Sequence, residues 1–102
     1  MAKIKASGFI TVDGDKSGWM QIEIEGDKNV RSIKSNRPIL AEYMKKEISE
    51  ARYQLIPCYT PRPNTMLQAL ATLQHYFDMS DISTEGDIGE VEYEDYHDGE
   101  IY

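Results

Sequence analysis

The chain predicts an α+β fold: a three-stranded antiparallel sheet, connected as a meander, with two helices packed on one of its faces. Three observations lead there. The first third alternates apolar and polar residues with the period of two that a half-buried strand requires, the middle carries two apolar stripes at helical spacing, and Gly, Asp, Asn and Pro clusters punctuate the joins. Each stripe needs an apolar surface to cover, and the sheet has one such face, so both helices belong on the same side.

In the first strand Ile4, Ala6, Ile10 and Val12 alternate with Lys3, Lys5, Phe9 and Thr11. In the second, Met20, Ile22 and Ile24 alternate with Gln21, Glu23 and Glu25. The run Asp13-Gly14-Asp15-Lys16-Ser17-Gly18 joins them, and Glu25-Gly26-Asp27-Lys28 turns the chain into a short third strand around Val30 to Ile33. Phe9 and Trp19 have the parity of the opposite, uncovered face. Pairing Thr11 with Trp19 would make them diagonal neighbours there, a secondary contact surface.

Ser35-Asn36-Arg37-Pro38 reads as a helix start, with a capping residue ahead of a proline in the first turn, where its missing N–H costs nothing. Leu40, Met44, Ile48, Ala51 and Leu55 form its apolar stripe, and Glu42 with Lys46 supports the exposed side. Pro57, Pro61 and Pro63 end the run, although Tyr53-Gln54-Leu55-Ile56 also suits a short strand. Asn64 or Thr65 caps a second helix carrying Met66, Leu67, Leu70, Leu73, Tyr76 and Phe77. These elements make a compact domain over residues 1–79.

Residues 80–102 form an acidic, tyrosine-containing segment, expected to be partly disordered or to add a strand. Residues 1–77 hold all eleven Lys and Arg with eight acids, a formal +3, whereas 78–102 hold the other ten acids and no Lys or Arg. A block of one sign repels itself unless it is solvated, binds cations or lies against a basic surface. Its three tyrosines favour contact over solvation alone, and Gly89-Glu90-Val91-Glu92-Tyr93-Glu94 alternates as a strand joining a sheet edge would.

Length and composition narrow the function. At 102 residues there is room for one core and little for a cleft between lobes. The single cysteine, Cys58, excludes an internal disulfide and fits a reducing compartment. With no apolar run behind Met1-Ala2-Lys3-Ile4-Lys5, and none approaching the ~20 residues of a membrane span, a cytoplasmic protein with no membrane contact is expected. A glycine-rich phosphate loop, a nucleophile elbow and a paired-histidine metal motif are all missing, and neither His75 nor His97 is placed beside Cys58, so no catalytic residue is assigned and an enzyme is not expected. A net charge of −7 disfavours direct nucleic-acid binding by the full chain.

The leading expectation is a small acidic inhibitor or adaptor that mimics nucleic acid toward a basic, nucleic-acid-binding protein, of the phage or mobile-element anti-CRISPR or anti-defence type. Asp87, Glu90, Glu92, Tyr93, Glu94, Asp95, Tyr96 and Asp98 are its candidate partner-binding residues, since carboxylates and rings match a groove built for phosphates and bases. No cofactor is needed for this. The stretch Asp81 to Glu92 also resembles the twelve-residue calcium loop of the EF-hand family, with Asp81 first, Ser83 third, Glu85 fifth, Gly86 sixth, Ile88 eighth and Glu92 last. That resemblance implies calcium as an alternative ligand, held by Asp81, Ser83, Glu85, Asp87 and Glu92. A third possibility is a basic domain autoinhibited by its own acidic tail.

Overall fold

The structure, a computed structural model, describes residues 1–12, 17–55 and 59–89. Strands β1 (Ala2–Ile10), β2 (Gly18–Gly26) and β3 (Val30–Ser35) precede helices α1 (Pro38–Glu50) and α2 (Met66–Tyr76). A single 3-10 turn (Met79–Asp81) then leads into β4 (Ile82–Glu85). The sheet order is β3-β2-β1-β4, with every neighbouring pair antiparallel. The architecture is the expected antiparallel sheet with two helices, but with four strands instead of three. The extra strand is Ile82–Glu85, ahead of the Gly89–Glu94 stretch whose alternation suggested one. It pairs the edge of β1 that β2 leaves open, and Ile82 lies opposite the small Ala6 on the core side.

Strand parity decides the layers. Ala2, Ile4, Ala6 and Ile10 of β1 and Met20, Ile22 and Ile24 of β2 are buried, and their odd-numbered neighbours point the other way. Against this face lie Leu40, Met44 and Ile48 of α1 and Met66, Ala69 and Leu73 of α2, followed by Phe77. Gly8 leaves room for Phe77: a β-carbon there would meet the Phe77 ring at 3.5 Å.

The hairpin closes differently from expectation. Phe9 is directly opposite Trp19, Ile10 is opposite Gly18, and the Thr11 and Ser17 hydroxyls are hydrogen-bonded across the mouth of the connection. Relative to a Thr11–Trp19 pairing this is a slip of two residues, which keeps every side chain on its expected face.

Helix ends follow local chemistry. Arg37 is the N-cap of α1 with Pro38 in the first turn; the Ser35 hydroxyl accepts from the Arg37 N–H at 3.0 Å while donating to the Gln21 carbonyl, and Asn36 Oδ1 accepts from the Gln21 N–H. Ala51 closes α1 in the left-handed conformation (φ 52°), so the helix stops short of Leu55 at the end of the expected stripe. At α2 the Thr65 side chain accepts from the Gln68 N–H at 3.1 Å, as a threonine N-cap does. Among the described residues no helix is long and apolar enough to cross a membrane.

The turn from β2 to β3 depends on Gly26, where a β-carbon would lie 2.0 Å from the Asn29 carbonyl oxygen. Gly26→Ala should therefore lower stability by about 1–3 kcal/mol, the usual range for forcing atoms into filled space. Gly8→Ala, which meets ordinary van der Waals distances, should change it by less than about 1 kcal/mol. Urea midpoints of the two variants check both.

Candidate interaction surface

The face of the sheet away from the helices is a charge lattice ending in an aromatic pair. Reading across β3, β2, β1 and β4, one row is Lys34, Glu23, Lys5 and Ser83, and the next is Ser32, Glu25, Lys3 and Glu85. Lys3 bridges Glu23 at 3.2 Å and Glu25 at 3.3 Å. The hydrogen bond from Lys3 holds the Glu23 carboxyl below the ordinary carboxylate range, and the same carboxylates raise the Lys3 ammonium. Each lysine of β1 thus faces an acid on β2, so this part of the face presents little net charge.

Toward the other end the rows become uncharged, first Gln21 with Ser7, then Trp19 with Phe9. Phe9 is 81% exposed and Trp19 48%. Ile39 in the first turn of α1 and Met79 in the 3-10 turn are exposed as well, Ile39 on the helix layer behind the sheet. Phe9 and Trp19 therefore form an exposed cross-strand aromatic pair on the outer face. Scattered single exposures are normal, whereas a cluster marks a contact surface.

The acidic segment starts with the Met79–Asp81 turn near Gly8, and β4 carries it along β1 to the opposite end. Glu85 pairs with Lys3 near the start of β1, and Gly86 (φ 78°) turns beneath the Met1 carbonyl oxygen, which a β-carbon there would approach to 2.6 Å. Asp87 Oδ1 accepts from the Gly89 N–H at 2.9 Å, Ile88 packs on the core, and Gly89 lies against Leu67 of α2. Of the expected partner-binding residues, Asp87 is described and exposed. Glu90, Glu92, Tyr93, Glu94, Asp95, Tyr96 and Asp98 lie outside the described residues. Phe9 and Lys3 are six residues apart on one strand, about 20 Å, which separates the aromatic end from the point where the chain leaves β4.

The stretch resembling a calcium loop starts with different geometry. Asp81 ends the 3-10 turn beside Gly8, while Ser83 and Glu85 lie on an extended strand paired to β1, where an EF-hand loop would coil its first, third and fifth residues around one point. Asp87 bonds its own loop, and Glu92 is outside the described residues. No group of three acidic, His or Cys residues converges among the described residues.

The buried acid Glu47 was not anticipated from the sequence. It is 2% exposed on the inner side of α1 and accepts from the Tyr76 hydroxyl of α2 at 3.0 Å and from the Tyr53 hydroxyl at 3.2 Å. Tyr43 meets Tyr76 edge-on, and His75 stacks on Tyr53 with centroids 4.5 Å apart. The position was readable, since Glu47 falls between Met44 and Ile48 on the stripe that faces the sheet. Among the described residues no cation pairs with Glu47, so phenol donors satisfy the carboxylate and tie α1 to α2.

Burial raises both the Tyr76 and the Tyr53 hydroxyl above the usual tyrosine range. The unfolded chain releases these protons near pH ~10 while the folded chain keeps them, so stability should fall as pH rises above that point. Tyr76→Phe should cost about 1–3 kcal/mol by leaving the Glu47 carboxylate short of a donor. Urea titrations at rising pH, on the parent chain and on the Tyr53→Phe/Tyr76→Phe variant, should show the smaller alkaline loss in the variant.

Comparison with family models, curated proteins and solved structures finds no match to this chain.

Proposed function

We propose that this chain acts by binding a basic protein, with the acidic segment as the recognition element and the Phe9–Trp19 end as a second contact. The observation that carries this reading is the segregation of charge. Ten acids without a single Lys or Arg occupy residues 78–102, and β4 ties the start of that segment to the sheet while most of its acids lie further on. An anchored polyanion attracts a basic surface over long range and holds it near the domain. Carboxylates interspersed with Tyr93, Tyr96 and Tyr102 offer the charge and ring chemistry that a single-stranded nucleic acid offers its protein. The natural target is therefore a nucleic-acid-binding effector, and the role that of an inhibitor or adaptor of the anti-defence type.

The test is capture of purified nucleic-acid-binding proteins by the immobilised full chain, with a competing oligonucleotide and with salt raised from about 50 to about 300 mM. Capture should fall with salt and with competitor. Neutralising Glu90, Glu92, Glu94, Asp95 and Asp98 to their amides should abolish it, and Trp19→Ala should weaken it by about tenfold, the effect of losing one aromatic anchor. Undiminished capture by the neutralised chain overturns the proposal.

A further inference from the structure

Strand β3 is an open edge of the sheet. Among the described residues its one strand neighbour is β2, and only its first residue is engaged on the other side, where the Val30 N–H donates to the Asn64 carbonyl at 2.8 Å. The Asn36 N–H donates to the Gln21 carbonyl, which marks that pair as hydrogen-bonded. Antiparallel ladders alternate, so Lys34 opposite Glu23 and Ser32 opposite Glu25 also turn their backbone groups toward β2, while Ile33 and Ser35 turn theirs outward. An edge of this kind is a template for another strand.

The surface beside this edge is apolar with one charge of each sign. Val30 and Ile33 are half-buried, where Ile22 and Ile24 on the neighbouring strand are fully buried. With Ala41 and Ile48 they line a groove of about 240 Å³ between β3 and α1, and Glu42 and Lys45 stand on its helical wall. Neither of these two has an ion-pair partner among the described residues. Helix α1 runs back along β3: it starts just after Ser35, and its Ile48 carbonyl accepts from the N–H of Asn64, whose own carbonyl takes the Val30 N–H. Ile33, about 7 Å along the strand from the shared end, is therefore level with the stretch between Glu42 and Lys45.

We propose that β3 pairs antiparallel with β3 of a second copy of this chain, about a two-fold axis through Ile33, so that the two sheets become one. Residues 27–47 hold six Lys and Arg against three acids, so two such edges meet only in a register that keeps like charges apart. Ile33 opposite Ser35 of the second copy fails, because it sets Lys34 against Lys34. Ser35 opposite Ser35 runs the strands into the Asn36–Arg37 turn. Ile33 opposite Ile33 sets Ser32 against Lys34 and Arg31 against Ser35, and Arg31 keeps its ion pair with Asp27 at 3.0 Å. The same axis lays the two α1 helices side by side in opposite directions, with Glu42 of each beside Lys45 of the other. A groove with one acid and one cation on its wall suits neither an acidic nor a basic ligand, and it is self-complementary, as an isologous contact requires. The contact involves neither Phe9 nor Trp19 and goes beyond the proposed function.

Sedimentation equilibrium of the full chain tests it, from about 10 to about 500 μM and in about 150 mM salt, which screens the net charge of −7 on each copy. The chain should show a reversible monomer–dimer equilibrium. Glu42→Lys alone and Lys45→Glu alone each set like charges across the axis and should weaken association about tenfold, and both side chains are exposed, so the fold is kept. An equimolar mixture of the two variants should restore it, because every cross-axis pair then joins opposite charges. Amide exchange at Ile33 and Ser35 should slow with concentration while exchange in β4 does not. A chain monomeric throughout the range, a dimer indifferent to both substitutions, or a mixture no tighter than either variant overturns the proposal. Protection at β4 or growth beyond the dimer overturns it as well, by joining two different edges. No basic protein enters these measurements, so this proposal and the proposed function fail separately.

Discussion

Burial of the even-numbered residues of β1 and β2 beneath two helices is the constraint on which the rest of this structure depends. Ile4, Met20, Ile22 and Ile24 are fully buried on one face. With a side-chain period of two, that burial commits Lys3, Lys5, Phe9, Trp19, Glu23 and Glu25 to the other face. The helices have no second apolar sheet surface to cover, and the described structure leaves the outer face without an overlying element. Its lysine–glutamate lattice and its exposed aromatic end are thus two consequences of a single packing decision.

The same arrangement organises charge. Cross-strand pairing places the lysines of β1 opposite acids, so the cations of the turn, β3 and α1 dominate what remains. The strongly acidic part enters from the opposite sheet edge, where β4 fixes Ile82–Glu85 beside β1. One edge of the sheet is therefore rich in cations, while the other supports the root of a polyanion.

Much of the fold was legible because its signals are local. Alternation in β1 and β2, the proline at the start of α1 and the Thr65 cap each act within a few residues. What was not legible depended on tertiary pairing. Ile82–Glu85 is too short to announce a strand, and becomes one because β1 has an open edge and Ala6 leaves space opposite Ile82. Asn36 reads as a capping residue from its neighbours, yet its Oδ1 accepts from Gln21, distant in sequence, and Ser35 divides its hydroxyl between Gln21 and the Arg37 N–H. Glu47 has the position of a core residue and the chemistry of a surface one, and only the arrival of Tyr53 and Tyr76 reconciles the two. Phe9 and Trp19 were placed on the correct face, while their direct opposition depends on how the hairpin closes at Ile10 and Gly18.

The central claim is that one sheet face is committed to the core and the other is left open by the described residues. Trp19 is the chain's single tryptophan and sits on that open face, so its fluorescence reports on the claim without interference. Acrylamide quenching in the full chain measures it most directly. The account predicts red-shifted emission and quenching between that of a buried indole and that of a free tryptophan amide, as befits a half-exposed ring, at low and at high salt alike. Blue-shifted, weakly quenched emission would show the face to be covered and would contradict it.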